Sequence, residues 1–395
     1  MTDSSLYGRA SIAPADPVVA GAYGAWRITL TVGKHGIDDR GRILLVRRMT
    51  DNWETPQFSR PADSGYTTVE TSGRAALHAS WDSKAYIRPW RPGIVIDILD
   101  GALAPGDTVT ITLGDRRGGG PGLRAQTFRQ ERCEFRLLID AFGTGQYVLV
   151  PDPPRLRVIG GPAARLVARA PSEVAAGQPF PLTVVAEDRF GNPADGCSET
   201  LTLSVDPPDA VLPPPHTLRP DQRGVGRFEG LTLPRPGVYR IAASAAAGRL
   251  TALSNPIVCQ AAAPAHRLYW GDIHGQTETT VGTGNVAEYL AYGRDVAALD
   301  FVSHCANDFQ ISADHWRETQ DGIRRFHAPG RYVTFLAYEW SGNTPAGGDH
   351  NVYYLGDDGP LHRSSHWQIA DKSDAATDRY PITELHRALR DRPDV

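Results

Sequence analysis

From about Trp26 to Val150 the apolar residues fall into short β-branched or aromatic runs, WRITLTV, RILLVRR, IVIDIL, TVTITL, FRLLI and YVLV, punctuated by Gly, Pro and Asp. Alternation with a period of two, bounded by turn residues, is the pattern of half-buried strands, and helical periodicity is scarce here. Many short strands joined by turns predict an all-β, sandwich-like N-terminal domain over residues 1–155.

The segment PDPPRLRVIGGP has the Pro and Gly density of a linker and precedes a second strand-rich region over residues 160–260. There AAGQPFPLTVVAEDRFGNPADG, ETLTLSV and GRFEGLTLPRPGVYRIAASA repeat a strand, turn and strand rhythm. The turn DRFGNP and the late strand GVYRI resemble bacterial immunoglobulin-like modules, so an immunoglobulin-like β-sandwich is expected, with the role of a spacer that positions its neighbours.

After AAAPAH the texture changes. RLYWGDIH, ALDFVSH and RYVTFLAYEW alternate with amphipathic stretches of helical length, VAEYLAYGRDVA and ADHWRETQDGIRRFH. The second has Ser312 or Asp314 as its N-cap and ends near Pro329 and Gly330. Strands taking turns with helices predict βα units around a parallel sheet or barrel over residues 266–395, with active groups at the strand C-terminal ends.

Composition changes this picture in few places. A length of 395 residues fits two to three domains, and 41% hydrophobic with 22% charged residues is ordinary for a folded globular chain. The formal charge of -4 is spread along the sequence, which argues against a nucleic-acid or anionic-membrane partner. Cys133, Cys197, Cys259 and Cys305 form no CxxC pair, which suits a reducing compartment, although Cys197 and Cys259 could meet within one module. With no basic and apolar leader and no long apolar run, the expectation is a soluble, cytoplasmic protein.

Histidine placement is the strongest clue to chemistry: nine of the twelve lie between His266 and His386. Asp272 and His274 follow RLYW, His304 follows LDFV, Glu339 follows RYVTFLAY, and His350 lies in GGDHNVYY. Imidazole and carboxylate groups converging from adjacent strand ends are what a divalent metal (Mn, Zn or Fe) needs in a hydrolytic site with positions open for water. Glu339 carries the most weight, because a carboxylate after an apolar strand is costly to bury without a cation or strong partner. Asp272 could equally serve as a helix cap, His304 as a hydrogen-bonded core residue and His350 as a surface residue.

The run YWGDIHGQT resembles the first motif of the polymerase and histidinol phosphatase superfamily, typically Asp-x-His-x-His-Thr. The longer phrases GDIHGQTETTVGTGNVAEYLAYGRDVAALDFVSHCANDFQ and GRYVTFLAYEWSGNTPAGGDHNVYYLGDDGPLHRSSHW resemble the bacterial family labelled domain of unknown function 3604. The resemblance implies a distorted (βα)7 barrel, here incomplete, with one to three ions and a phosphoester substrate. His274 matches the first motif histidine and Glu339 the bridging carboxylate. Gln276 stands where a second histidine is usual, and Cys305 to Asn307 stand where Thr-Asp-His is usual. Gln276 and Asn307 are thus candidate weak oxygen ligands, with His304 or His350 as replacement nitrogens. The later superfamily ligands are absent from this sequence, which predicts a truncated chain with reduced metal occupancy and weak or no activity alone.

Two further stretches carry candidate chemistry. GDRRGGGPGLR, from Arg116 to Arg124, could cradle an anion or form a plain hairpin loop. HRSSHW, with Arg363 and His366, could bind a substrate phosphate. The reading that unites these features is a metal-dependent phosphoesterase using metal-activated water on a small molecule. Its competitor is a non-catalytic binding protein with a degenerate barrel and β recognition modules. A calcineurin-like phosphoesterase also begins GDIHG, but its later Gly-Asp-x-x-Asp and Gly-Asn-His motifs do not occur.

Overall fold

A computed structural model describes residues 4–395. The chain divides into two compact units, Met1–Gly160 and Gly161–Val395.

The first unit is built of β-sheets, two of which share one core. One sheet places the strands Gly8–Ala13, Trp26–Val32, Thr108–Leu113 and Thr67–Thr71 side by side. A five-stranded sheet orders Val148–Leu149, Arg136–Asp140, Arg42–Val46, Gly93–Leu99 and Ala76–Asp82. Ile28, Leu30 and Ile111 from the first meet Ile43, Leu45 and Ile96 from the second in one buried core. Each such side chain contributes about 1.5–3 kcal/mol by leaving water.

The second unit contains two cores. Residues 165–260 form small sheets in which Phe180–Glu187 pairs with Arg165–Arg169 and Val225–Leu231, and Thr200–Val205 pairs with Ile241–Ala245. Leu182, Val184, Leu201 and Ile241 fill the interior. Asp188 in the DRFGNP turn accepts hydrogen bonds from the amides of Phe190 and Asn192, so this turn is closed by its own aspartate. Cys197 and Cys259 are free and buried.

The C-terminal part corrects the expected barrel. Strand makes up 38% of the chain against 13% helix, and a (βα)7 barrel is not formed. Instead β1 (Gly271–Gly275), β2 (Phe301–Asn307), β3 (Val333–Ser341) and β4 (Asp349–Tyr354) make one four-stranded sheet. β1 to β3 run parallel, linked by α1 (Val286–Asp295) and α2 (Ala313–Phe326), whereas β4 is antiparallel to β3. The reason is the linker. A parallel return needs a dozen or more residues, and only the seven residues 342–348 separate β3 from β4. α3 (Ile382–Leu389) follows after an irregular stretch.

α1 begins with a reciprocal capping box between Asn285 and Glu288, and α2 is capped by Ser312, whose hydroxyl accepts from the amide of His315. Their apolar stripes, Leu290 on α1 and Trp316 and Ile323 on α2, pack on Val302, Leu336, Tyr338 and Trp340. The boundary expected near residue 266 does not separate two compact bodies. The Trp270 indole donates to Ser172 at 2.8 Å and the amide of Leu268 donates to Glu173 at 3.0 Å, tying the sheet to the preceding module.

Candidate active site

Residue alternation decides what the site contains. On β2 and β3 the residues Val302, Ala306, Leu336, Tyr338 and Trp340 face the helices and form the core. Ser303, Cys305, Asn307, Ala337 and Glu339 therefore share the opposite face. Asn307, Glu339 and Asn351 lie in one cross-strand row, because Asn307 is in register with Glu339 and Glu339 with Asn351.

The sheet is strongly curled. β1 and β4 are three strand spacings apart, about 14 Å in a flat sheet. Yet Asn351 on β4 lies 2.9 Å from Nδ1 of His274 on β1, and the Tyr353 hydroxyl donates to the carbonyl of Ile273 at 2.6 Å. Those two bonds close the concave face over Glu339.

At its centre His274 Nε2 lies 3.6 Å from Glu339 Oε2. Gln276 donates to the same oxygen at 2.8 Å, and its own carbonyl oxygen accepts from Thr280. Glu339 is buried, with 7% of its surface exposed, while the imidazole of His274 is half-exposed. The carboxylate thus faces the solvent side of the curl through the imidazole. Asn351 Nδ2 lies 2.9 Å from His274 Nδ1 and 3.1 Å from the Tyr353 oxygen; a cation on Nε2, the nitrogen that faces Glu339, would require the proton on Nδ1 and the Asn351 amide turned so that its oxygen accepts it. Asn307 donates to Ser341 Oγ at 3.1 Å, and its buried Oδ1 has no hydrogen-bond partner among the described residues.

The other candidates sit elsewhere. Asp272 is exposed and accepts from the amide of His274 at 3.0 Å. His304 points to the helix side, wholly buried, with Nε2 2.9 Å from Thr277 Oγ1 and Nδ1 3.5 Å from Thr319 Oγ1. Burial, assisted by nearby His315, pushes its pKa down to about 4, so it is a neutral core residue. His350 lies opposite Trp340 on the face away from Glu339, with its Nε2 3.0 Å from the carbonyl of Gly347. Neither His304 nor His350 supplies a nitrogen to the cluster.

Arg363 and His366 are also not presented to a ligand. Arg363, 1% exposed, donates to Ile311 O at 2.9 Å and to Asp374 at 2.7 Å. His366 holds Asp374 on Nε2 at 2.7 Å and Asp378 on Nδ1, so the pair clamps the irregular stretch before α3. Cys305, beside the cluster, has its thiol pushed up to about 12 by burial and by Glu339, which keeps it protonated and unreactive.

Among the described residues no group of three or more His, Cys, Asp or Glu side chains could hold a metal ion. The donors present are one imidazole, one carboxylate and one orphaned amide oxygen, on His274, Glu339 and Asn307. Such a set fits a weakly held, exchangeable divalent cation better than a closed structural zinc site, which takes four strong ligands. Asn351, Tyr353 and Thr280 were not expected from sequence. Asn351 and Tyr353 occupy alternate positions of β4, and that period was their one legible signal.

Among the described residues no helix is long and apolar enough to cross a membrane. No family model matches the chain. It is similar to an uncharacterised protein of Chlamydia pneumoniae, 29% identical over 250 residues that cover 61% of this chain and 39% of that one. An uncharacterised protein of Chlamydia trachomatis is 26% identical over 316 residues, 77% of this chain and 49% of its own length. The chain therefore spans half or less of these curated relatives. Among solved structures, the Yersinia pseudotuberculosis adhesin InvE matches 64% of this chain and 58% of its own at 14% identity and a TM-score of 0.20. Domains 5–6 of the S-layer protein SbsC match 63% of this chain and 96% of theirs at 12% identity and a TM-score of 0.19. Scores this low carry no argument about fold or activity.

Proposed function

We propose that the chain carries the cation-binding part of a metal-dependent hydrolase of the phosphoesterase class, with His274, Glu339 and Asn307 as cation ligands. The observation that supports this most is the pairing of His274 and Glu339, distant in sequence, at 3.6 Å on the concave face of a curled sheet. Both lie towards the C-terminal ends of parallel strands, where α/β folds collect their ligands. The resemblance of GDIHGQT to the first superfamily motif supports the same chemistry.

When bound, a divalent cation would acidify a water and neutralise charge on a phosphoryl oxygen. The chain's own residues do the rest. Gln276 and Thr280 fix the rotamer of Glu339, Asn351 orients the imidazole of His274, and Tyr353 anchors Asn351 to β1. The test is hydrolysis of bis(p-nitrophenyl) phosphate and p-nitrophenyl phosphate with Mn2+ or Zn2+. Slow turnover that stops on chelation and is lost in Glu339→Gln is expected. Turnover insensitive to both would overturn it.

The saturation of Glu339 and His274 by the amides of Gln276 and Asn351 favours a second reading, a non-catalytic binding protein. Chelator-insensitive ligand binding without turnover distinguishes it.

A further inference from the structure

The first unit carries a separate polar cleft on the outer face of its four-stranded sheet, with a volume of about 570 Å³. Strand alternation makes this face. Trp26, Ile28 and Leu30 point into the core, so Arg27 and Thr29 point out, and Thr110 and Thr112 do the same on the neighbouring strand. Arg27 lies in register with Thr112, and Thr112 with Thr68, so guanidinium and hydroxyl groups stand in one row across three strands.

The loop from Arg116 to Arg124 closes one side. Its amides are not an open nest: Arg117 N donates to Asp115 and Gly119 N to the carbonyl of Arg116. Its guanidinium groups are what reach the cleft. Arg116 is held by two backbone carbonyls, Pro121 O at 3.1 Å and Tyr23 O at 3.0 Å, and makes no ion pair among the described residues. The close approach depends on Gly122, at φ +104, where a Cβ would meet Gly24 O at 2.3 Å. A side chain there would push the loop off the sheet.

Charge is unevenly spent. Three arginines and two carboxylates line the cleft. Arg117 alone engages both acids, Glu70 at 2.9 Å and Asp115 at 2.6 Å. Its hydrogen bonds hold the Asp115 carboxyl down at about 2, so that pair stays ionised at any physiological pH. Arg27 and Arg116 remain without a carboxylate partner among the described residues, beside the outward hydroxyls of Thr110 and Thr112. A fixed guanidinium, a second unpaired one and neutral hydroxyl donors form the recognition set of a tetrahedral oxyanion.

We propose that this cleft binds the phosphate or sulfate group of a small molecule, with Arg27 and Arg116 as its cationic contacts and Thr110 and Thr112 as hydroxyl donors. The cleft is open to solvent, which leaves room for the rest of an ester beside the anion.

The test is calorimetric titration of the full chain with glucose 6-phosphate, inorganic phosphate, inorganic sulfate and glucose at fixed ionic strength. Saturable binding of the ester, no binding of glucose, and a loss of about tenfold or more in Arg27→Ala are expected, since a charge-assisted hydrogen bond contributes about 1.5–3 kcal/mol. Arg27 is exposed and has no hydrogen-bond or ion-pair partner among the described residues, so an unchanged melting curve certifies the fold of that variant. Equal binding of inorganic phosphate or sulfate, also lost in Arg27→Ala, would support the site with the free ion as its ligand. Absence of saturable binding by every anion, or binding unchanged in Arg27→Ala, overturns the proposal.

Discussion

His304 and Asp308, four residues apart and both fully buried, should make the second unit's stability respond to pH in opposite directions. Burial lowers the His304 pKa from 6.5 to about 4. The folded state therefore favours neutral imidazole, and this contribution is present above the unfolded value and lost as pH falls through 6.5 towards 4. Burial raises Asp308 from 3.8 to about 6, despite hydrogen bonds from the amides of Ser364 and Ser341. Its contribution is present below 3.8 and lost as pH rises through 6. Each shift is worth about 3 kcal/mol at 1.36 kcal/mol per pH unit, and the two act with opposite sign. His304→Gln removes one side of the balance. Relative to the native chain, its stability should fall by about 3 kcal/mol as pH rises from 4 to 6. Hydrogen exchange of peptides covering Phe301–Asn307, corrected for the intrinsic pH dependence, reads this opening free energy locally. The slope is the readout, so a uniform destabilisation by the substitution does not confuse it. A difference between variant and native chain that is constant across pH 4 to 6.5 would show that His304 is not held neutral by burial.

Three other outcomes follow from the packing. Gly275→Ala places a Cβ 2.0 Å from the ring of Tyr289, whose hydroxyl is tied to Ser303 O at 3.2 Å, so a loss of about 1–3 kcal/mol in thermal unfolding is expected. Asn285→Ala removes the cap of α1 and should cost about 1 kcal/mol, measurable by urea denaturation, with no change at the His274 and Glu339 pair. Cys305, with its thiol held near 12 and no exposed surface, should stay unmodified by a disulfide reagent at pH 8 until denaturant is added, as read by peptide mass spectrometry.

Much of this was legible in the sequence, and the failures have a common cause. The strands Trp26–Val32, Thr108–Leu113 and Val333–Ser341 announce themselves by β-branched and aromatic runs, α1 by its length, and α2 by its length and its Ser312 cap. Glu339 stood out because an ionised group after an apolar strand demands a partner, and it has three neighbours in His274, Gln276 and Asn307's row. The choice between His304 and Asn307, or between His350 and Asn351, was not legible. In a strand one position decides the face, and no local signal says which face is concave. Asn351 acquires its role only because the sheet curls enough to bring β4 to β1. The barrel was an overreach from motif to whole fold: local alternation supports two parallel crossovers, and the short linker 342–348 then turns the chain back.

The proposed hydrolase chemistry requires a cation at His274 and Glu339. Direct titration with Mn2+, followed by its electron paramagnetic resonance signal, tests that most plainly. The proposed ligand set predicts a saturable site in the native chain that is lost in His274→Ala and Glu339→Gln but kept in His304→Gln and His350→Ala. Binding that survives Glu339→Gln, or that never saturates in the native chain, would contradict it.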